Sequence, residues 1–344
     1  MSRLLRTQWA PLLAATVVAG IVLGLATKQF GSTYNVYTIL QTASVYAVIG
    51  LSQMLVLAVA DMSLAVGGIG SLVTIATGNL YEVQHWPIGA AIAGSLALGL
   101  ACGLINGLII ASTKLSGFIV TLATGTAFTG IAYGITSAIP YSTIPSVLSN
   151  LGQGRASFFS YLLFPAIVMT LAVGASFRWL PIGRSLLAVG GNRDAAVLSG
   201  ISRERAIVVA HAASGVLAAI AAIMYIGVLQ SATPATGSDW LIISFAVPII
   251  GGTALVGGEA PASGCFVAAI VLAAINDALI VLNVNTEAVQ MAEGLLIFAA
   301  VIAGKLGQGV RAGRLHGPRN SRFSGRARLG DVTKDSPTPG LEAP

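Results

Sequence analysis

The chain is 344 residues long, 55% apolar and only 9% charged, with a mean hydropathy of +0.85. A soluble globular domain is excluded, because that much apolar surface has no core large enough to hide in, and a polytopic membrane protein remains. The net charge of +6 and pI near 9.6 do not require a nucleic-acid partner, because membrane topology accounts for where the basic residues lie.

Apolar runs near the ~20 residues a helix needs to cross the hydrocarbon core fall at roughly 10–27, 36–60, 61–80, 88–112 and 115–137. Five more follow at about 161–177, 206–229, 241–256, 264–283 and 288–304. The expected fold class is all-α, with about ten transmembrane helices. Two runs are weak: the third begins with Asp61 and Ser63 and is rich in glycine, and the sixth is short and contains Pro165, so eight or nine spans also fit. The N-terminal Met-Ser-Arg-Leu-Leu-Arg followed by an apolar run has the look of a signal peptide, with Gly24-Leu25-Ala26 as a cleavage site. With nine runs behind it, an uncleaved first span is the simpler reading.

Basic residues collect in short cytoplasmic loops, which tests the count. With ten spans and the N-terminus inside, all of the 18 Lys and Arg except Lys28 and Arg155 fall on the cytoplasmic side. Both termini are expected there. Residues 1–305 then form the membrane domain, and 306–344, mixing Arg, Gly, Pro and Ser, read as a disordered basic tail that contacts anionic lipid at most.

The 41 glycines point to close helix packing, since lipid offers no hydrophobic drive for helices to associate. Gly20 and Gly24, Gly99 and Gly103, Gly103 and Gly107, and Gly130 and Gly134 are spaced four apart. Packing within the chain is one reading of each pair, and contact with a second copy is the other.

Residues 187–201 stand between two spans, inside a cytoplasmic loop at 178–205. Asn192 is a good N-cap, Asp194 suits the positive end of a helix dipole, and Gly200 supplies a left-handed stop. A helix of about two turns is marginal alone and must lean on a surface. Ala195, Ala196, Val197 and Leu198 give it a small apolar face. Further on, Pro248, Gly251-Gly252 and Gly257-Gly258-Glu259 predict a broken or re-entrant segment near 248–262, which either borders a cavity or is a plain structural kink.

Several chemistries have no residues to build them. There is no G-x-x-x-x-G-K-[ST] string, so ATP hydrolysis is not expected in this chain. His85, His211 and His316 are scattered, and Cys102 and Cys265 lie inside spans, so no metal site, disulfide or cofactor is expected. No catalytic group stands out. Intramembrane acids are few: Asp61 at a span boundary, Glu287 and Glu293 near the last span, and Asp277 beside Asn276 within a helix. Asn106, Thr121, Thr124, Asn276 and Asp277 are the candidates for a polar path, with helix-to-helix hydrogen bonding as the competing role for each.

Gly183-Arg184, Ala188 to Asn192, Ala195-Ala196 and Leu198 to Ile201 together resemble the coupling loop of ribose-type ABC transporter permeases. Asn106-Gly107-Leu108, then Phe118 to Leu122 and Gly125, are similar to that family's fourth and fifth spans, and Gly251 to Leu255 with Gly257-Gly258 to its late broken loop. The likeness covers roughly 36–305.

The resemblance implies a permease in the bacterial inner membrane that pairs with itself or a close relative. Its partners would be cytoplasmic ABC ATPase subunits and a periplasmic solute-binding protein, and its solute a monosaccharide or similar polyol. Gly191, Asn192, Arg193, Asp194, Ala195, Ala196, Leu198, Ser199 and Gly200 would then form the helix the ATPase grips. The chain departs from the family at Ser63, where an acid is usual, with Asp61 two residues earlier, and at Glu293, where Lys is common. An ion-coupled carrier using Asp277 or Asp61, and a membrane anchor without transport, are the rival readings.

Overall fold

The computed structural model describes residues 32–282 without interruption, together with Phe30 and separate positions between 284 and 298. The first predicted span, Glu293, the basic tail and nearly all of the last span lie outside the described residues.

The described chain is almost entirely helical. Helices α1 (Thr33–Ala58), α2 (Val66–Gly78, extended by one π-helical turn, Asn79–Val83), α3 (Ile88–Thr113) and α4 (Gly117–Thr136) come first. A short α5 (Ser146–Gln153) precedes a two-stranded antiparallel hairpin, Arg155–Ala156 with Phe159–Ser160. Then come α6 (Leu163–Trp179), α7 (Pro181–Gly191), α8 (Arg193–Leu198), α9 (Arg203–Leu229), α10 (Trp240–Ile250) and α11 (Ala262–Val281). Among the described residues, α1, α3, α4, α9 and α11 are long and apolar enough to cross a membrane.

Helices α1 and α9 are buried round most of their circumference and form the centre, while α3 and α4 are buried along only one side. Glycine sets the closest approach. A Cβ on Gly99 would strike Ala219 and the backbone of Gly215, and one on Gly103 or Gly107 would strike α9 at His211, Ala212 or Val208. These two predicted pairs therefore pack within the chain, by the small-residue mechanism of membrane helices. A Cβ on Gly130 or Gly134 would meet no atom of the described residues within 4 Å.

Two predicted spans, the third and the eighth, are shorter or more broken than their hydropathy suggests, and the sixth is followed by a bend. The third run is unwound from 61 to 65 before α2 begins. Non-helical backbone survives in lipid only when its polar groups find partners inside the protein, and here they do. Leu64 N–H donates to Thr121 Oγ1 at 2.9 Å and Ala65 N–H to Ser63 Oγ at 3.3 Å. The Gln53 side-chain amide, oriented by these contacts, brackets Ser63, donating to its carbonyl at 3.0 Å and accepting from its N–H at 3.2 Å. Ser63 is thus held through its own backbone.

The sixth run, 161–177, is the single helix α6, and just beyond it, within the predicted loop, the chain turns through 74° into a helix, α7, that hydropathy did not suggest. Pro181 explains the bend: it pushes Leu180 into extended backbone (φ −85°, ψ 137°) and opens α7 at the position where its missing N–H costs nothing. The eighth run yields only the 11 residues of α10, containing Pro248. Irregular chain follows to 261, which agrees with the break predicted near 248–262.

Candidate functional site

Helix α8 is built as its local residues dictate. Asn192 Oδ1 accepts from Ala195 N–H at 3.0 Å, Asp194 lies in the first turn, and Gly200 adopts φ +78°. Ser199 donates its hydroxyl to the Ala195 carbonyl at 2.8 Å, closing the C-terminal end.

Six residues cannot hold a helix by themselves, and α8 rests on three chain breaks that meet beneath it. Arg193 Nη2 donates to the Ala60 carbonyl at 3.1 Å, where α1 ends and Ala60 takes φ +57°. A Cβ on Gly190, at the end of α7, would overlap the Ala58 carbonyl oxygen. That same oxygen accepts from Gly258 N–H at 3.2 Å. Gly257 and Gly258, at φ +86° and +83°, lie against Ala60, Gly190 and Gly191. Only glycine supplies both that backbone and that approach. The end of α1, the α7–α8 junction and the loop before α11 are thus joined backbone to backbone.

The C-terminal half of α8 exposes two large apolar side chains: Leu198 is 89% exposed and Val197 56%. Asp194 and Ala195 are also exposed. Ala196 is the exception among the expected contact residues, being only 4% exposed. Its carbonyl receives the Ile201 N–H at 3.0 Å as the chain folds back toward α9.

The five candidate path residues are not brought together. Asn106 is buried in α3, and Thr124 returns its hydroxyl to the Val120 carbonyl at 3.0 Å. Thr121 donates to the Gly117 carbonyl at 2.6 Å while accepting from Leu64. Asn276 donates to Tyr46 Oη at 2.9 Å, and Asp277 Oδ2 accepts from Asn35 Nδ2 at 2.6 Å. Thr121, Asn276 and Asp277 thus bond across elements, which is the competing role weighed from the sequence. Asp61 lies with Oδ2 3.2 Å from His211 Nε2 of α9.

A cavity of about 570 Å³ lies elsewhere, between the start of α2, the middle of α4 and the segment 234–241. Its polar residues, Thr126, Thr129, Tyr133, Thr236 and Ser238, were missed from the sequence. The available signal was the spacing of 126, 129, 130 and 133, which puts Thr, Thr, Gly and Tyr on one helical face.

Glycine-packed helices, unwound segments satisfied from within and a short exposed helix seated on chain breaks define a multi-pass membrane protein of the transport class. A family model described as "Branched-chain amino acid transport system / permease component" matches residues 35–301. The chain belongs to that family. It is 29% identical to a ribose import permease protein of Haemophilus influenzae over 84% of this chain and 90% of the relative. It is 30% identical to a D-allose transport system permease protein of Escherichia coli, over 84% and 89% respectively. A xylose transport system permease protein of Haemophilus influenzae shares 27% identity over 84% of this chain. No solved structure matches.

Proposed function

We infer that this chain is the membrane-spanning permease subunit of an ATP-driven importer for a monosaccharide or similar polyol, placed in a bacterial inner membrane with both termini cytoplasmic. Its energy comes from cytoplasmic ABC ATPase subunits that hold α8, and its solute arrives on a periplasmic binding protein. A second permease copy, identical or related, completes the passage.

The seat of α8 carries the reading. A helix with an exposed Leu198 at its tip and its base joined to α1, α7 and the loop before α11 is a lever with an apolar handle. An ATPase pair closing on ATP pulls that handle, and the three junctions transmit the displacement. The pull favours one conformation only because the ATPase binds the two states unequally. The names of the relatives, which are permeases for ribose, allose and xylose, support a sugar as the cargo.

Against an ion-coupled carrier stand the family match and the permease relatives; its two candidate acids lie apart, Asp61 against His211 and Asp277 against Asn35. Neither lines the cavity. The test is uptake into proteoliposomes containing the permease, its ATPase and its binding protein. Uptake that needs ATP and survives collapse of the proton and sodium gradients is expected. Uptake driven by a gradient with no ATPase present would overturn the reading.

A further inference from the structure

The cavity between α2, α4 and 234–241 has the volume and the chemistry of a small-molecule site, since such sites run from ~300 to 1,000 Å³ and this one measures about 570 Å³. Its wall is fixed by several independent contacts. Ala232 and Tyr141 exchange both backbone hydrogen bonds at 2.9 Å. Ser71 Oγ donates to the Pro234 carbonyl at 2.6 Å, Gly67 packs on Gly237, and Trp240 covers Gly70. The irregular segment is held open beside a helix rather than collapsed onto it.

Thr126 and Thr129 stand midway along α4, which spans Gly117–Thr136, and so near the bilayer midplane if that helix crosses. Their hydroxyls donate back to the Leu122 and Gly125 carbonyls at 2.9 and 3.0 Å. Each oxygen keeps a lone pair free to accept. Thr236 is 4% exposed, and its Oγ1 has no hydrogen-bond partner among the described residues. A buried hydroxyl without a partner is costly, and a ligand hydroxyl would remove that cost. Tyr133 adds an apolar ring face with a polar tip.

None of the described residues lining the cavity is charged. A zwitterionic amino acid would bury an ammonium and a carboxylate there unpaired, whereas a neutral polyol brings only hydroxyls and C–H faces.

We propose that this cavity is the site at which the permease holds its solute in transit, and that it selects a neutral polyhydroxylated molecule, with Thr236 hydrogen-bonding to it. The proposal rests on the importer reading above. The test uses the full complex in proteoliposomes with ATP and labelled D-ribose, D-allose, D-xylose and L-leucine. Wild type is expected to accumulate a sugar and not leucine. Thr236→Val keeps the shape and removes the hydroxyl, so the KM for uptake should rise by about three- to tenfold, as for one lost hydrogen bond.

Gly130→Leu projects into the cavity from a position where a Cβ would meet no described atom within 4 Å, and uptake should fall by at least about tenfold. Gly134→Leu lies one turn away on the same helix face, is equally open and does not line the cavity; it should transport as wild type. An unchanged KM in Thr236→Val with normal uptake in Gly130→Leu would overturn the proposal. So would equal losses at Gly130 and Gly134, which would assign the effect to the helix face, and so would uptake of leucine alone. A wild-type complex that moves none of the four solutes overturns the importer reading itself and takes the cavity with it.

Discussion

Thr121 spends one hydroxyl on two backbones, donating to Gly117 and accepting from Leu64 across 57 residues of sequence. It holds the unwound entry to α2 against α4. Thr121→Val should cost about 1–3 kcal/mol, the penalty of a buried N–H left unpaired. The measurement is the Tm of the detergent-solubilised chain, with Thr121→Ser expected to recover most of the loss. The sequence marks Thr121 as polar and intramembrane, yet its partner is a main-chain amide far away, so no local pattern distinguishes a path residue from a cap. Asn192 and Gly200 are the opposite case. Their effects reach only three residues along the chain, and both were legible before the fold was known.

At the scale of elements, α8 depends on its cap and its seat together. Asn192→Ala should destabilise it by about 1 kcal/mol, read as faster amide hydrogen exchange at 195–198 with the rest of the chain unchanged. Ala196→Glu should be worse than Ala195→Glu for the yield of folded protein, because Ala196 is buried and Ala195 exposed. Gly190→Ala should lower stability by about 1–3 kcal/mol, as overpacking does, because a Cβ there overlaps the Ala58 carbonyl. The break after Pro248 was plain from proline and paired glycines. The unwinding of 61–65 and the 74° turn at Pro181 were not drawn from hydropathy, which measures how apolar a run is and says little about whether its backbone stays helical. Pro181 carried the second signal in its own chemistry.

At the scale of the whole molecule, the described four-apart glycines fall into two groups. Those at 99, 103 and 107 bring α3 onto α9, and those at 130 and 134 leave α4 open. Composition announces close packing without saying which partner each glycine meets, and this is why the core was legible in outline and the cavity was not. The cavity needs α2, α4 and 234–241 together, three segments brought adjacent only by the fold. The seat of α8 likewise joins Ala58–Ala60, Gly190–Arg193 and Gly257–Gly258, so a force on one exposed helix reaches elements spread across most of the chain. Leu198 is the residue through which that force enters, and at 89% exposure it can be changed without disturbing the fold. The most direct measurement is ATP-driven sugar uptake by proteoliposomes carrying Leu198→Asp, scored beside retention of the ATPase on the purified permease. Wild-type insertion and Tm with uptake and ATPase retention both lost is the predicted result; normal uptake with the ATPase still bound would contradict the account.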